Sequence, residues 1–248
     1  HMDMIVCSGG DGTLNEAISG MLCLDQCPLL GYIPSGSTND FASSLKIPRD
    51  MLEAARDVIG GEPFAVDIGR FCEDRYFAYI AGFGAFTEVS YLTPQDKKNW
   101  LGHNAYMLEG VKSLAGLKPR HMKVEWDGKC VEDDFVFGMV TNSISVGGFK
   151  GLVNQSVAMD DGKFEVLLIR MPRTPVDLTN IINYMFLKEE PNEYVHKFKA
   201  SSIRMTSQEP VDWVLDGEFG GSRTEVKIEN LRRRVKIMRK NCKNMLKN

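Results

Sequence analysis

One stretch near the start constrains this chain most: Ile5-Val6-Cys7-Ser8-Gly9-Gly10-Asp11-Gly12-Thr13-Leu14-Asn15-Glu16-Ala17. The apolar run Met4 to Cys7 reads as a short buried strand. Three glycines then surround an aspartate, and Asn15 to Met21 reads as the first turns of a helix, with Leu14, Ala17, Ile18 and Met21 at helical spacing. A strand, a glycine turn and a helix N-terminus make an anion site from backbone alone. Free N–H groups point outward, the helix dipole favours negative charge, and the missing Cβ atoms let a phosphate approach. Standing alone, the pattern also fits an ordinary Gly-Asp turn.

A second stretch repeats the arrangement. Leu29-Leu30-Gly31-Tyr32-Ile33 is another short apolar strand, and it runs into Pro34-Ser35-Gly36-Ser37-Thr38-Asn39-Asp40-Phe41-Ala42. A helix is expected to start at Asn39 or Asp40. Parallel strands set such turns side by side at the C-terminal edge of a sheet, where open α/β sheets bind ligands.

The remaining chain changes character. A helical stripe of Met51-Leu52, Ala55 and Val58-Ile59 ends at Gly60-Gly61-Glu62-Pro63, which marks a boundary between residues 1–62 and 63–235. Beyond it lie β-rich runs: Phe64 to Arg70, Arg75 to Phe83, His121 to Trp126, Phe135 to Asn142, Lys163 to Arg170, Ser201 to Ser207, Val211 to Leu215, Glu225 to Asn230 and Arg234 to Met238. Helices are expected at Asn104 to Lys118 and Val176 to Lys188. The fold class is therefore α/β plus mainly β: an N-terminal α/β domain, with the tail 236–248 as a candidate to rejoin it, then an antiparallel β-rich domain with helices.

Composition excludes some classes. The 248 residues suffice for one large core or two modest ones. No apolar run reaches the roughly 18 residues of a spanning helix, and no signal peptide is visible. A net charge of −3 offers nothing to a nucleic-acid partner. The six cysteines are scattered and read as reduced thiols of a cytoplasmic protein, with Cys7 in the core.

Gly9-Gly10-Asp11-Gly12-Thr13, Gly36-Ser37-Thr38-Asn39-Asp40-Phe41-Ala42 and Asp216-Gly217-Glu218 together resemble the diacylglycerol kinase-like lipid kinases, a family that includes bacterial diacylglycerol kinases and sphingosine kinases. Ser37 replaces the family's threonine and keeps a hydroxyl. The resemblance runs from Met4 to about Val235. It implies an ATP- and Mg²⁺-dependent transfer of phosphate to a diacylglycerol-like lipid hydroxyl at a membrane surface, by a cytoplasmic, peripherally bound enzyme with its active site between the two domains.

Carried over residue by residue, Gly9, Gly10, Asp11, Gly12, Thr13, Gly36, Ser37, Thr38, Asn39 and Asp40 would cradle the nucleotide. Glu218 would be the general base, tuned by burial or neighbouring charge, with Asp216 beside it. Asp11, Asp40, Asp67 and Asp216 would share a water and Mg²⁺ network. Asp161, with carbonyls of Ala158 and Lys163, would hold a second, structural Mg²⁺. Thr141-Asn142-Ser143 and Gly147-Gly148-Phe149 match further family positions. Each segment also has a local reading: a solvated Asp-Gly turn at Asp216, an exposed acid on a strand at Asp67, a hairpin turn at Asp161, and a polar glycine loop at 141–149.

The basic C-terminal residues, Arg232 to Arg234 onward, read as a solvated strand edge, with docking to an anionic membrane as the rival. Alternative functions are an NAD kinase-type enzyme and a non-catalytic nucleotide-binding regulator. The resemblance further implies roughly fifty to sixty residues of βα structure ahead of Met4. A chain starting at this strand is expected to bind ATP weakly or not at all, turn over little lipid, and expose apolar surface that favours either self-association, as in a homodimer, or disorder.

Overall fold

A computed structural model describes residues 2–84, 118–146, 149–150, 157–187 and 192–240. The chain runs β1 (Met4–Gly9), α1 (Asp11–Leu22), β2 (Leu29–Pro34), α2 (Asp40–Leu45), α3 (Met51–Gly60), β3 (Glu62–Phe71), β4 (Arg75–Phe77) and β5 (Ile80–Gly84). It continues with β6 (Arg120–Trp126), β7 (Lys129–Thr141), β8 (Ser145–Val146), β9 (Phe149–Lys150), β10 (Phe164–Arg170), α4 (Pro175–Leu187), β11 (Val195–Ala200), β12 (Ser202–Leu215) and β13 (Glu218–Arg239). The expected helix at 104–118 falls almost wholly outside the described residues, as do Gly147 and Gly148.

Two compact units result. The first takes His1–Ile80, Asn142–Lys163 and Ile228–Asn248; the second takes Ala81–Thr141 and Phe164–Lys227. This division differs from the boundary drawn at Glu62. The reason is long-range pairing: β3 lies antiparallel to the second half of β13, from Ile228↔Phe71 to Arg239↔Glu62. A partner more than 150 positions away leaves no local signature.

In the first unit β1 and β2 are parallel, with register Met4↔Leu29 to Gly9↔Pro34. β2 meets β13 in parallel at Leu30↔Ile237, and β3 carries β4 at Gly69↔Phe77. The core gathers Leu14, Ile18 and Met21 of α1, Leu30 and Tyr32 of β2, Phe41 and Leu45 of α2, Val66 and Ile68 of β3, and Val235 and Ile237 of β13. Cys7 is buried with them, and burial pushes its thiol pKa up. β1 is less enclosed than its apolar run suggests: Val6 is 54 % exposed. Among the described residues β1 pairs only with β2, so one side of the strand has no neighbour.

One helix start differs from expectation, and one helix buries less of its apolar stripe than expected. α1 begins at Asp11 rather than Asn15, because Gly10 is extended (φ −87°, ψ −172°) and its carbonyl accepts the Leu14 N–H at 3.0 Å. The glycine that reads as a loop residue is inside the first turn. In α3, Asp50 caps the N-terminus by accepting from Leu52 and Glu53 N–H. Only Ala54 and Val58 of that helix are buried, while Leu52 and Ile59 face outward.

The second unit is antiparallel throughout its described strand pairs. β12 pairs with β5 at Trp213↔Phe83 and with β6 at Ile203↔Trp126. β6 continues to β7, β7 to β10, and β10 to β11. Phe83 and Trp213 meet edge to face at 5.1 Å in its core. β12 merges two runs that the sequence separates at Pro210, and β13 merges Glu225–Asn230 with Arg234–Met238 across a bulge between Leu231 and Val235. β11 was not anticipated, and the run Arg75 to Phe83 divides into β4 and β5. α4 starts with a reciprocal cap: the Asp177 N–H donates to Thr174 Oγ1, and the Thr174 N–H donates to Asp177 Oδ2.

Candidate active site

The two glycine loops follow the C-terminal ends of β1 and β2, which the parallel register places side by side. Gly9 O accepts from the Ser35 N–H at 2.9 Å and from the Tyr32 hydroxyl at 3.2 Å. The loops touch through their glycines: a Cβ on Gly36 would lie 2.5 Å from Gly10 Cα. Any side chain there would force the loops apart.

Asn39 shapes the second loop. It is buried in the left-handed region (φ 53°, ψ 52°), which Asn tolerates better than most residues. Its Oδ1 accepts from Gly36 N–H at 3.1 Å, and its Nδ2 donates to Gly36 O at 2.6 Å. That closed ring occupies the Asn39 side chain, so it does not cap α2.

Asp11 caps α2 instead. Its Oδ2 accepts from the Asp40 N–H at 3.0 Å and its Oδ1 from the Phe41 N–H at 3.2 Å. Burial raises the Asp11 pKa; the amide bonds from Asp40 and Phe41 oppose this, the Asp40 charge adds to it, and the net shift is upward. The aspartate of the first loop thus binds the first turn of the helix behind the second loop. The N–H groups of Asp11, Gly12 and Thr13 precede the first intrahelical bond of α1, the place at which a helix N-terminus is able to bind an anion. Ser37 is exposed and Thr38 half-buried beside them.

A second network lies behind α2. Asp67 is fully buried, and its carboxylate accepts from the Gly162 N–H and the Arg233 N–H, each at 2.7 Å. The exposed position considered for it is therefore not what the fold provides. Asn142 Nδ2 donates to Asp67 O at 3.0 Å. Ser44 of α2 donates to Asp40 O at 3.1 Å, and its Oγ lies 2.5 Å from that of Ser143. Asn142 and Ser143 are thus joined to Asp67 and to α2. Arg233, read from the sequence as part of a solvated edge, is a member of this network. It sits at the bulge of β13 with φ 52°, a conformation that a run of three arginines does not announce.

The Asp160–Gly162 turn closes on the same bulge. The Arg233 guanidinium pairs with Asp160 Oδ2 at 2.8 Å, and Arg232 Nε donates to Asp160 O. Asp161 Oδ1 accepts from the Lys163 N–H at 2.9 Å. A carboxylate is a hard-oxygen ligand of the kind Mg²⁺ takes, with water completing the shell, and the carbonyls of Ala158 and Lys163 belong to residues three and two positions from Asp161 in the chain. Among the described residues no group of three or more His, Cys, Asp or Glu side chains gathers as a metal cluster.

In the second unit, Asp216 and Gly217 form the two-residue turn between β12 and β13. Their φ values are +49° and +92°, as a primed hairpin turn requires. Asp216 is buried, whereas Glu218 is exposed at the start of β13. Burial as the means of tuning Glu218 is therefore not present.

Residues 1–71 match the diacylglycerol kinase catalytic domain, and residues 82–237 match the YegS C-terminal NAD kinase beta sandwich-like domain. A crystal structure of a diacylglycerol kinase from Bacillus anthracis superposes with a TM-score of 0.73 at 25% identity, covering 97% of this chain and 77% of that one. An NAD kinase from Archaeoglobus fulgidus, solved in complex with ATP, gives 0.50 at 16% identity, over 99% and 82% of the two chains. The fold is mostly β with few helices, of the kind diacylglycerol kinases and NAD kinases share.

Curated relatives narrow this. The diacylglycerol kinase of Bacillus subtilis is 38% identical over 89% of this chain and 73% of its own length; that of Staphylococcus carnosus is 31% identical over 95% and 76%. The chain belongs to the diacylglycerol kinase family of lipid kinases. Among the described residues no helix is long and apolar enough to cross a membrane.

Proposed function

We propose that this protein transfers the γ-phosphate of ATP to the hydroxyl of a diacylglycerol-like lipid. The observation that carries the reading is the pair of glycine loops in contact at Gly10 and Gly36, held by Asp11 on the Asp40 and Phe41 amides. Such a frame fixes backbone donors before substrate arrives, and phosphoryl transfer depends chiefly on positioning and charge stabilisation.

The lipid oxygen attacks the γ-phosphorus, the new O–P bond forms, and the bond to the bridging β,γ oxygen breaks. Glu218 receives the hydroxyl proton; as an exposed carboxylate it is open to a substrate arriving from outside. Gly9, Gly10, Gly12, Thr13, Gly36, Ser37, Thr38 and Asn39 shape the nucleotide cradle. Mg²⁺, when bound, would offset phosphate charge, and Asp161 is the residue we assign to a structural ion. Family membership favours a lipid acceptor. NAD as acceptor rests only on a fold likeness.

Incubation with γ-labelled ATP and a panel of lipids and NAD tests this. Labelled diacylglycerol is expected. Labelled NAD would move the protein to the other enzyme class, and no labelled product would support a non-catalytic role.

A further inference from the structure

α2, the short helix behind the second glycine loop, is held at both ends. Its six residues are too few to fix a helix by themselves. Phe41, Ala42 and Leu45 bury an apolar face in the core of the first unit. Such packing is non-directional and leaves the position of the helix along its own axis to hydrogen bonds. At the start of α2, Asp11 accepts from the Asp40 and Phe41 N–H groups. In its last turn stands Ser44.

The Ser44 hydroxyl is buried and engaged on every side. It donates to Asp40 O at 3.1 Å, accepts from the Ile144 N–H at 3.1 Å, and lies 2.5 Å from Ser143 Oγ. A hydroxyl has one proton and two lone pairs, so with its proton on Asp40 O the buried Ser143 hydroxyl is the donor to it. The residue before Ser143 is anchored separately. The Asn142 N–H donates to Tyr79 O and its Nδ2 to Asp67 O, each at 3.0 Å. Residues 142–144 thus form a splint between β3 and the last turn of α2.

From α2 the bonds lead on to the loop contact. The Asn39 carbonyl accepts from the Ser43 N–H at 3.0 Å, the Asn39 side chain is closed on Gly36, and Gly36 packs against Gly10. We propose that Ser44 and Ser143 are positioning residues for the nucleotide cradle: their hydroxyl bridge sets where α2 sits, and with it the spacing of the Gly10 and Gly36 loops. The ligand's identity rests on the kinase reading; the mechanics rest on the hydrogen bonds alone.

Amide hydrogen exchange in nucleotide-free protein reads the mechanics. In Ser143→Ala and in Ser44→Ala the Asp40 and Phe41 amides should exchange about tenfold faster, while the Trp213 amide of the second unit is unchanged. Calorimetric titration with Mg-ATP reads the cradle, and affinity should fall about tenfold in each variant. The double variant should bind no more weakly than Ser44→Ala, because the two hydroxyls act through one bond. Val58→Ala, at a buried position of α3 in the same unit, is the control for a purely structural loss: it should lower Tm and leave both readings as in wild type. Should Ser44→Ala fail to fold by circular dichroism, Ser143→Ala decides alone. The proposal is overturned if the Asp40 and Phe41 amides keep wild-type exchange in Ser143→Ala, if all amides of the first unit speed up by the same factor, or if nucleotide affinity is equal in wild type and variant or absent from both. Nucleotide binding without labelled lipid would overturn the kinase reading and leave the bridge standing.

Discussion

The Asp11 carboxylate lies 3.0 Å from the backbone nitrogen of Asp40, so the acidic residue of the first glycine loop acts as the cap of the helix behind the second. With the Phe41 N–H at 3.2 Å, it satisfies two of the orphan donors that open α2. Removing it affects the fold whether or not any ligand is present. Asp11→Ala should cost about 1 kcal/mol, the usual worth of a helix cap, and lower Tm in buffer containing EDTA and no nucleotide. A variant as stable as wild type there, yet inactive with Mg²⁺ and ATP, would transfer Asp11 from positioning to metal binding.

Asp67 should matter more to stability. Its replacement by Ala removes the acceptor of two part-buried N–H groups, those of Gly162 and Arg233, at about 1–3 kcal/mol each. A fall of about 3 kcal/mol in denaturant unfolding is expected, again without Mg²⁺. A loss below about 0.5 kcal/mol, typical of surface positions, would show that the clamp is dispensable.

Glu218 predicts the opposite pattern. It is exposed, so Glu218→Gln should leave Tm nearly unchanged. Turnover should drop about 10²-fold or more if the carboxylate takes the lipid proton. Activity within a few-fold of wild type removes it as the base.

Asp161 is tested through linkage. If Mg²⁺ binds there, wild-type Tm rises with Mg²⁺, by about 2.7 kcal/mol of stability at a hundred times the dissociation constant. Asp161→Ala should lose that rise. Equal Mg²⁺ shifts in the two proteins would place the ion elsewhere.

His121 offers a check on pH. Its Nδ1 lies 2.9 Å from Asp134 Oδ1 and its Nε2 3.3 Å from Glu132 Oε1, and these bonds, Asp134 first, raise its pKa above the ordinary 6.5. A raised folded value means that its stabilisation is complete below pH 6.5 and lost as pH climbs through the folded pKa. Titration of the His121 ring by NMR should show a midpoint above 6.5, returning toward 6.5 in Glu132→Gln with Asp134→Asn. A wild-type midpoint at or below 6.5 contradicts the pairing.

Local chemistry determined a good deal of this protein. Apolar runs at Met4 and Leu29, each ending in glycine, were enough to place two parallel strands with their loops at one sheet edge. The spacing of Leu14, Ile18 and Met21 identified the buried face of α1, because a helix repeats its faces within a few residues. The pairing of Asp-Gly with a primed hairpin turn is likewise a property of the dipeptide.

Tertiary structure decided what depends on distant partners. Whether Asp11 faces a ligand or α2, whether Asp67 is exposed or buried, and where Arg233 sends its N–H are settled by segments 29 to 166 positions away. β3 and β13 find each other across the whole intervening chain, which is why the composition break at Gly61 is not where the first unit ends. Hydrophobic periodicity reports which face of an element is buried. It carries no information about which other element supplies the hydrogen-bond donors once that face is covered.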